Sequence, residues 1–386
     1  MNIPKLRFKE FNDEYKTYKF KDVAKLYRGS SPRPIINFIT KSEDSVNWIK
    51  IGDVSQNETY IKSTSEKITK EGAKKSRKVY KGEIILSNSM SFGRPYILDL
   101  DGCIHDGWFV VRDYERLLNK EYLYHFMSSS FIQKQYKTLS AGGVVSNISS
   151  DLVYSVKLNI PSKEEQLKIA KFLSLLDKKI ELQDKKIEAL KLFKSYTKSE
   201  IFKNGNHVCK LGTILNKWNK KNKDGAINYV ESISNKAGFI PQSEQFEDRN
   251  VASKNLRNYY VIKKGVFGYN PSRLNVGSLA LKENDFISVV SPLYECFTTT
   301  QNNTYLFEWF NSNDFKKETF SKFEGGVRNT LNFNNLCDIP INLPDIETQN
   351  QYAKYFNKIN FKISLEEQKL SELVKFKKGL LQEMFI

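Results

Sequence analysis

The chain has 386 residues, with 61 Lys+Arg against 44 Asp+Glu and a formal charge of +17. That length accommodates two ordinary domains with proper cores. The basic excess favours an anionic partner such as nucleic acid or a membrane surface and says nothing about fold. The opening "MNIPKLRFKEF" has no apolar leader, and no apolar run approaches the roughly 18 residues of a membrane span, so a soluble cytoplasmic protein is expected. Cys103, Cys209, Cys296 and Cys337 form no C-x-x-C pair, which argues against a zinc knuckle or a disulfide framework. His105, His125 and His207 are too few and too scattered to suggest a metal site.

In chain order, residues 18–150 read as mixed α/β. The runs "EIILSNS" from Glu83 and "WFVVRD" from Trp108 predict strands, and "KEYLYHFMSSSFIQKQY" from Lys120 predicts one polar helix. After Pro161 and the N-cap candidate Ser162 come acidic Glu164 and Glu165, then no Gly or Pro until Gly205. Ile169, Leu173, Leu176, Ile180, Ile187 and Leu190 step by fours and threes, with Gln183 in the one polar slot. Residues 208–333 again read as mixed α/β, with "YYVI" from Tyr259 and "FISVV" from Phe286 as strands. From Pro344 a second helix carries Phe356, Ile359, Ile363, Leu370 and Leu373, with Glu366 in the same polar slot. A 3.5-residue apolar period marks coiled-coil packing, and about 40 helical residues span roughly 60 Å.

The second half repeats the first at a shift of about 183 residues, pairing Pro161/Pro344, Glu164/Glu347, Gln166/Gln349, Ala170/Ala353 and Lys171/Lys354. Tyr122/Tyr305, Leu123/Leu306, Gly142/Gly325, Gly143/Gly326 and Gly82/Gly265 extend the register upstream. Two globular α+β domains with an internal tandem repeat are therefore expected, separated by two long helices that pair within the chain. The divisions expected are 1–150, a helical 151–204, 205–333 and a helical 334–386.

No nucleotide-binding glycine loop, H-E-x-x-H or G-x-S-x-G motif occurs, so no catalytic residues are expected. "NPSR" at Asn270–Arg273 is near the Asn-Pro-Pro-aromatic motif of adenine methyltransferases, but lacks its second proline and its aromatic, and reads as a turn. Binding candidates are polar–basic loops. In the first copy they comprise Arg28, Ser30, Arg33, Ser87, Asn88, Ser89, Arg94, His105 and Trp108; in the second, Lys217, Asn219, Lys220, Asn270, Ser272 and Arg273. Arg and Asn read base edges in the major groove, while Ser and Lys anchor phosphates.

The block Gly143, Ile148, Leu152, Ile160, Pro161, Glu165, Gln166, Ile169 and Ala170 resembles the specificity subunits of type I restriction–modification enzymes. The second copy departs from it, with Thr348 for the Glu and Tyr352 for the Ile. The resemblance implies two target recognition domains, each reading one half of a bipartite site on double-stranded DNA. It implies that the long helices pack antiparallel with pseudo-two-fold symmetry, setting the gap and docking two modification (methyltransferase) subunits and restriction (translocase and nuclease) subunits. Gln166 and Gln349 would join the seam residues in this helix-pair and partner interface. S-adenosylmethionine, ATP and Mg would sit on those partners, with no cofactor on this chain. The competing expectations are a protein-binding coiled-coil scaffold and a DNA methyltransferase in its own right.

Overall fold

Two units emerge from the fold, Met1–Asp184 with Gln368–Ile386, and Lys185–Glu367. The computed structural model describes residues 3–54, 58–88, 93–140, 148–235, 237–245, 255–320 and 330–386. Ser89 and the paired glycines Gly142, Gly143, Gly325 and Gly326 lie outside them.

In the first unit, one five-stranded sheet has the order Lys25–Arg28, Trp108–Arg112, Ile84–Ser87, Pro95–Leu98, Tyr60–Ile61. A second has the order Ile39–Thr40, Glu66–Ile68, Val46–Ile49, Gly102–Ile104, Arg77–Val79. Side chains alternate across a strand, and here the alternation feeds two cores. Ile84, Leu86, Phe109 and Val111 join the core with the helices. Ile85, Tyr96, Trp108 and Val110 instead pack with Ile49, Val79 and Ile104 of the other sheet. Burial on both faces explains why "IIL" from Ile84 and "WFVV" from Trp108 are continuous apolar runs.

The helix expected from Lys120 is two helices, Lys120–Ser128 and Ser130–Ser140. Ser129 is extended at φ −68°, ψ 153°, and its hydroxyl accepts from Ile132 N at 3.4 Å. A serine that caps the next turn competes with helix continuation.

The second unit contains a four-stranded sheet, Leu215–Lys217, Glu295–Thr299, Phe267–Tyr269, Leu279–Leu281, and the strand pairs Glu231–Ser234 with Gly238–Pro241 and Tyr260–Ile262 with Ser288–Val290. Each unit also pairs the strand at its start with the one before its long helix. Lys16–Lys19 joins Lys157–Ile160, and His207–Lys210 joins Pro340–Leu343, both antiparallel.

The repeat is conformational as well as textual. Gly82 and Gly265 have φ of +91° and +86°, a region that favours glycine. Their amides donate to Leu98 O at 2.7 Å and Lys282 O at 2.8 Å, entering equivalent strands in the same way.

The long helices are Lys163–Lys203 and Ile346–Glu383. In the first unit Ile169, Leu173 and Leu176 are buried in the main core, with Ile180 and Leu373 packed against it. In the second, Ile187, Phe356, Ile359 and Ile363 are buried, while Leu190 is half-buried, as is Leu370 in the first unit. Within the second unit Lys186 meets Glu366 at 3.0 Å and Tyr355 Oη donates to Thr197 Oγ1 at 3.4 Å. Partners ascend on one helix as they descend on the other, so the pair is antiparallel there. Glu366, expected in a polar seam slot, is buried beside Lys186. A buried charge at such a position is retained only when paired.

Gln166 and Gln349, expected in the helix-pair and partner interface, anchor the globular domains instead. Gln166 accepts from Asn119 N at 2.8 Å and donates to Leu117 O at 3.0 Å and Pro161 O at 3.1 Å. Gln349 accepts from Asn302 N at 3.2 Å and donates to Pro344 O at 2.9 Å and Gln301 Oε1 at 2.8 Å. Asn119 and Asn302 are the N-caps of the helices Lys120–Ser128 and Asn303–Phe310. Both glutamines are 1% exposed, so their amides require these partners. The departure at Thr348 also has a structural meaning. Glu165 takes two 2.8 Å bonds from Arg7 and one from Tyr15 Oη. Thr348 instead donates to Asp345 Oδ2 at 2.8 Å.

One buried histidine makes stability depend on pH. On Lys120–Ser128, His125 is 1% exposed and faces Ser174, Asp177 and, beyond Asp177, Lys377, with Tyr124 beside it on its own helix. Burial, then Lys377, pushes its pKa down to about 3. The unfolded chain therefore binds a proton from about pH 6.5 that the folded chain refuses, and stability falls by up to about 1.4 kcal/mol per pH unit on acidification. Asp177, raised by burial against the pull of Lys377, acts in the opposite sense near the acid end. Denaturant unfolding at pH 7.5 and 5.5 should show the loss, and His125→Gln should flatten it. An unchanged slope in that variant would assign the loss elsewhere.

Candidate nucleic-acid interface

In the first unit the candidate loops converge on Asp106. Strand Lys25–Arg28 runs into Gly29, whose amide donates to Trp108 O at 2.8 Å, and Ser30 N donates to Ile104 O at 3.2 Å. A Cβ on Gly29 would lie 2.0 Å from His105 O, so only glycine lets this loop lie against the next one. The Asp106 carboxylate accepts from Ser31 Oγ at 2.9 Å and lies 2.8 Å from His105 Nε2 and 3.7 Å from Arg33. Its carbonyl accepts from Asn88 Nδ2 at 2.9 Å and Arg28 Nε at 3.4 Å. His105 Nδ1 accepts from Gly107 N at 2.9 Å, so the ring is the tautomer that donates from Nε2. Arg77 Nε donates to Arg28 O at 3.2 Å, and its guanidinium lies 5.5 Å from the Tyr27 ring centre. Arg33, its side chain 83% exposed, thus stands beside the Asp106 carboxylate, Arg28 bonds the Asp106 carbonyl, and Arg77 bonds Arg28 in turn. Ser30 Oγ is spent on Lys75 O at 3.3 Å, and Arg94 is half-buried 5.8 Å from the Tyr96 ring centre.

Three candidates are corrected. Trp108 and Ser87 are fully buried and Asn88 is 4% exposed. The Trp108 ring packs edge-on to Tyr96 at 5.6 Å inside the core between the sheets. Ser87 Oγ accepts from Arg94 N at 3.1 Å, and Asn88 holds the Asp106 carbonyl. These side chains shape the loops from below, because a buried group has no free edge to offer a base. Asp106, Ser31 and Arg77 adjoin the loop candidates and were not singled out in the sequence, although Ser31 and Asp106 lie between residues that were.

In the second unit Lys217 ends a strand, 3.2 Å from Glu295 and 5.4 Å from the Phe333 ring centre. Trp218 Nε1 donates to Val261 O at 2.7 Å under Lys263, and the next two residues, Asn219 and Lys220, are exposed. Buried Asn222 donates to Ile227 O at 2.8 Å and accepts from Ile227 N at 3.2 Å, holding the next turn closed. The Asn270 side-chain Oδ1 accepts from Ser272 N at 3.0 Å, capping the 3-10 turn Pro271–Val276 and presenting exposed Ser272 and Arg273. "NPSR" is thus a capped turn, as its proline and asparagine imply. Among the described residues no group of three His, Cys, Asp or Glu is placed to hold a metal ion. No helix among them is long and apolar enough to cross a membrane.

Residues 12–192 match the model of the type I restriction modification DNA specificity domain. The chain is 28% identical over 277 residues to the type I restriction enzyme MjaIX specificity subunit of Methanocaldococcus jannaschii, covering 69% of this chain and 61% of that relative. The chain thus spans less than two thirds of that curated relative's length. Its fold is similar to the type I restriction–modification S subunit from M. genitalium, with TM-score 0.60 and 15% identity over 100% of this chain and 99% of that one. It is also similar to a chain solved in work on complex assembly and conformational transition of the type I system, with TM-score 0.59 and 16% identity over 96% and 97% of the two chains. Residues 12–192 thus match the type I restriction modification DNA specificity domain, and over its whole length the chain is similar in fold to the S subunit from M. genitalium.

Proposed function

We propose that this chain is the DNA sequence-specificity subunit of a type I restriction–modification complex. Each globular domain reads one half of a bipartite site on double-stranded DNA, and the helix pair sets the gap between the halves. The chain is a non-catalytic reader, and S-adenosylmethionine, ATP and Mg act on partner subunits. The observation that carries this reading is one scaffold used twice under different loops. The same Gln-to-N-cap bonds and the same glycine turn recur, while of the polar–basic loop candidates only Ser89 and Ser272 are identical at the repeat shift. Exposed Phe172, Leu175 and Leu182 on the first long helix, and Phe361, Leu365 and Phe376 on the second, favour docking of protein partners there, the modification and restriction subunits.

Co-expression with the modification subunit encoded beside it, in a methylation-free host, followed by sequencing for N6-methyladenine, tests the proposal. One new split motif with a fixed gap is the expected result. Arg33→Ala should weaken binding of the assembled complex to that site and reduce its salt dependence, since each phosphate contact contributes about 0.9 to the slope. An assembled, soluble complex that methylates nothing would sink the reading.

A further inference from the structure

Among the described residues each globular domain presents to the long helices a buried residue able to carry charge near neutral pH, and the two residues occupy the same repeat position. In the first unit it is His125, 1% exposed; in the second it is Glu308, 2% exposed. His125 Nε2 lies 3.3 Å from Ser174 Oγ, and its Nδ1 lies 3.9 Å from Asp177 Oδ2. Asp177 in turn is paired with Lys377 on the other long helix. Glu308 receives Lys194 at 2.7 Å and Lys198 at 3.1 Å from one long helix, and Asn360 Nδ2 at 2.9 Å from the other.

The shift that carries Pro161 onto Pro344 also carries His125 onto Glu308, Asp177 onto Asn360 and Lys194 onto Lys377. One three-residue site therefore occurs twice, joining the domain helix, the long helix that follows it and the long helix of the other copy. Both copies hold one carboxylate and keep the lysine. The carboxylate has changed sides, standing on the long helix in the first unit and on the domain helix in the second. Asn360 and His125 are the uncharged groups left at the vacated positions, since burial holds the imidazole neutral at ordinary pH.

We infer that this site is the coupling point that fixes the orientation of each recognition domain on the helix pair, and so the length of the gap between half-sites. The inference rests on the reading of the chain as a specificity subunit. Apolar contacts tolerate small rotations of one helix over another. Glu308, buried and bonded from both long helices, has one satisfied arrangement, and in the first unit the Asp177–Lys377 ion pair holds the two long helices beside His125. Neighbouring base pairs are about 3.4 Å apart along the duplex, so a modest tilt of a recognition domain is enough to reach the next register. His125, Asp177, Lys377, Glu308, Asn360 and Lys194 are positioning residues that act through the recognition loops.

The test compares three versions of the full chain in complex with the modification subunit, with the methylated gap as readout. Glu308→Gln keeps the size of the side chain and removes its charge. Glu308→His combined with Asn360→Asp transplants the set from the first unit and keeps Lys194 in place. Expected for Glu308→Gln is a fall of about tenfold or more in preference for the wild-type gap over gaps one base pair longer or shorter. The transplant should return a single gap, which a merely structural role of Glu308 would not require. A Glu308→Gln complex that assembles and keeps one gap overturns the inference, as does a transplant that assembles with mixed gaps. If Glu308→Gln does not assemble, the transplant decides: one wild-type gap supports the coupling, and mixed gaps or no assembly overturn it. A wild-type complex that methylates no split site overturns the functional reading and this inference with it.

Discussion

Truncation of Phe356 to alanine is expected to destabilise the second unit by about 3–5 kcal/mol, the range for a large aromatic removed from a well-packed core. Phe356 is fully buried in the main core of that unit and lies 6.1 Å from the Phe202 ring on the other long helix. Its contacts therefore hold the helix pair together and seat the pair on the globular domain. Tyr305 and Phe202, in the same core, pack edge-on at 5.4 Å. Urea unfolding of the full chain should resolve an early transition in the variant. Its repeat equivalent, Leu173, is fully buried in the first unit, and Leu173→Ala should cost about 2–5 kcal/mol there. A loss below about 1 kcal/mol at Phe356 would mean that the helix is not a core element.

The second large effect concerns the buried pair in the second unit. Lys282 Nζ meets Glu231 Oε2 at 2.5 Å, and Ser288 Oγ donates to the same oxygen. The lysine and glutamate side chains are 1% and 5% exposed, and the ammonium sits 5.8 Å from the ring centres of Phe239 and Phe286. Lys282→Met leaves the carboxylate buried without its counter-charge, which should cost about 3–5 kcal/mol. Adding Glu231→Gln removes that charge and keeps an acceptor for Ser288, so the double variant should recover more than half of the loss. Urea midpoints of the two variants and wild type measure this directly. A single variant as stable as wild type would mean that the pair is hydrated in solution.

The repeat, the two long helices and the strand runs were legible because each depends on local pattern. A 3.5-residue period in "IAKFLSLLDKKI" needs only the helix itself to place Ile169, Leu173, Leu176 and Ile180 on one stripe. Gly82 and Gly265 were legible as a pair through the shift alone, and their shared positive φ gives the physical reason. The helix break at Ser129 was less visible, since a serine is compatible with a helix interior until its hydroxyl finds the amide of Ile132.

What composition and spacing could not distinguish was which side of a strand or helix would be covered. Trp108 and Ser87 look like loop-borne contacts in the sequence, and they became core residues because a second sheet packs over that face. Gln166 and Gln349 were expected in the helix-pair and partner interface, yet they bond N-cap residues 47 positions away in sequence. Asp106 gained its role only when the loops from Arg28 to Arg33 and from Asn88 folded against it. By itself, then, the sequence determined the duplicated architecture and the chemical class of its loops, since periodicity and repetition are properties of the chain. Tertiary structure alone decided which polar groups stay exposed to meet a partner and which are consumed inside, because burial is set by elements distant in sequence.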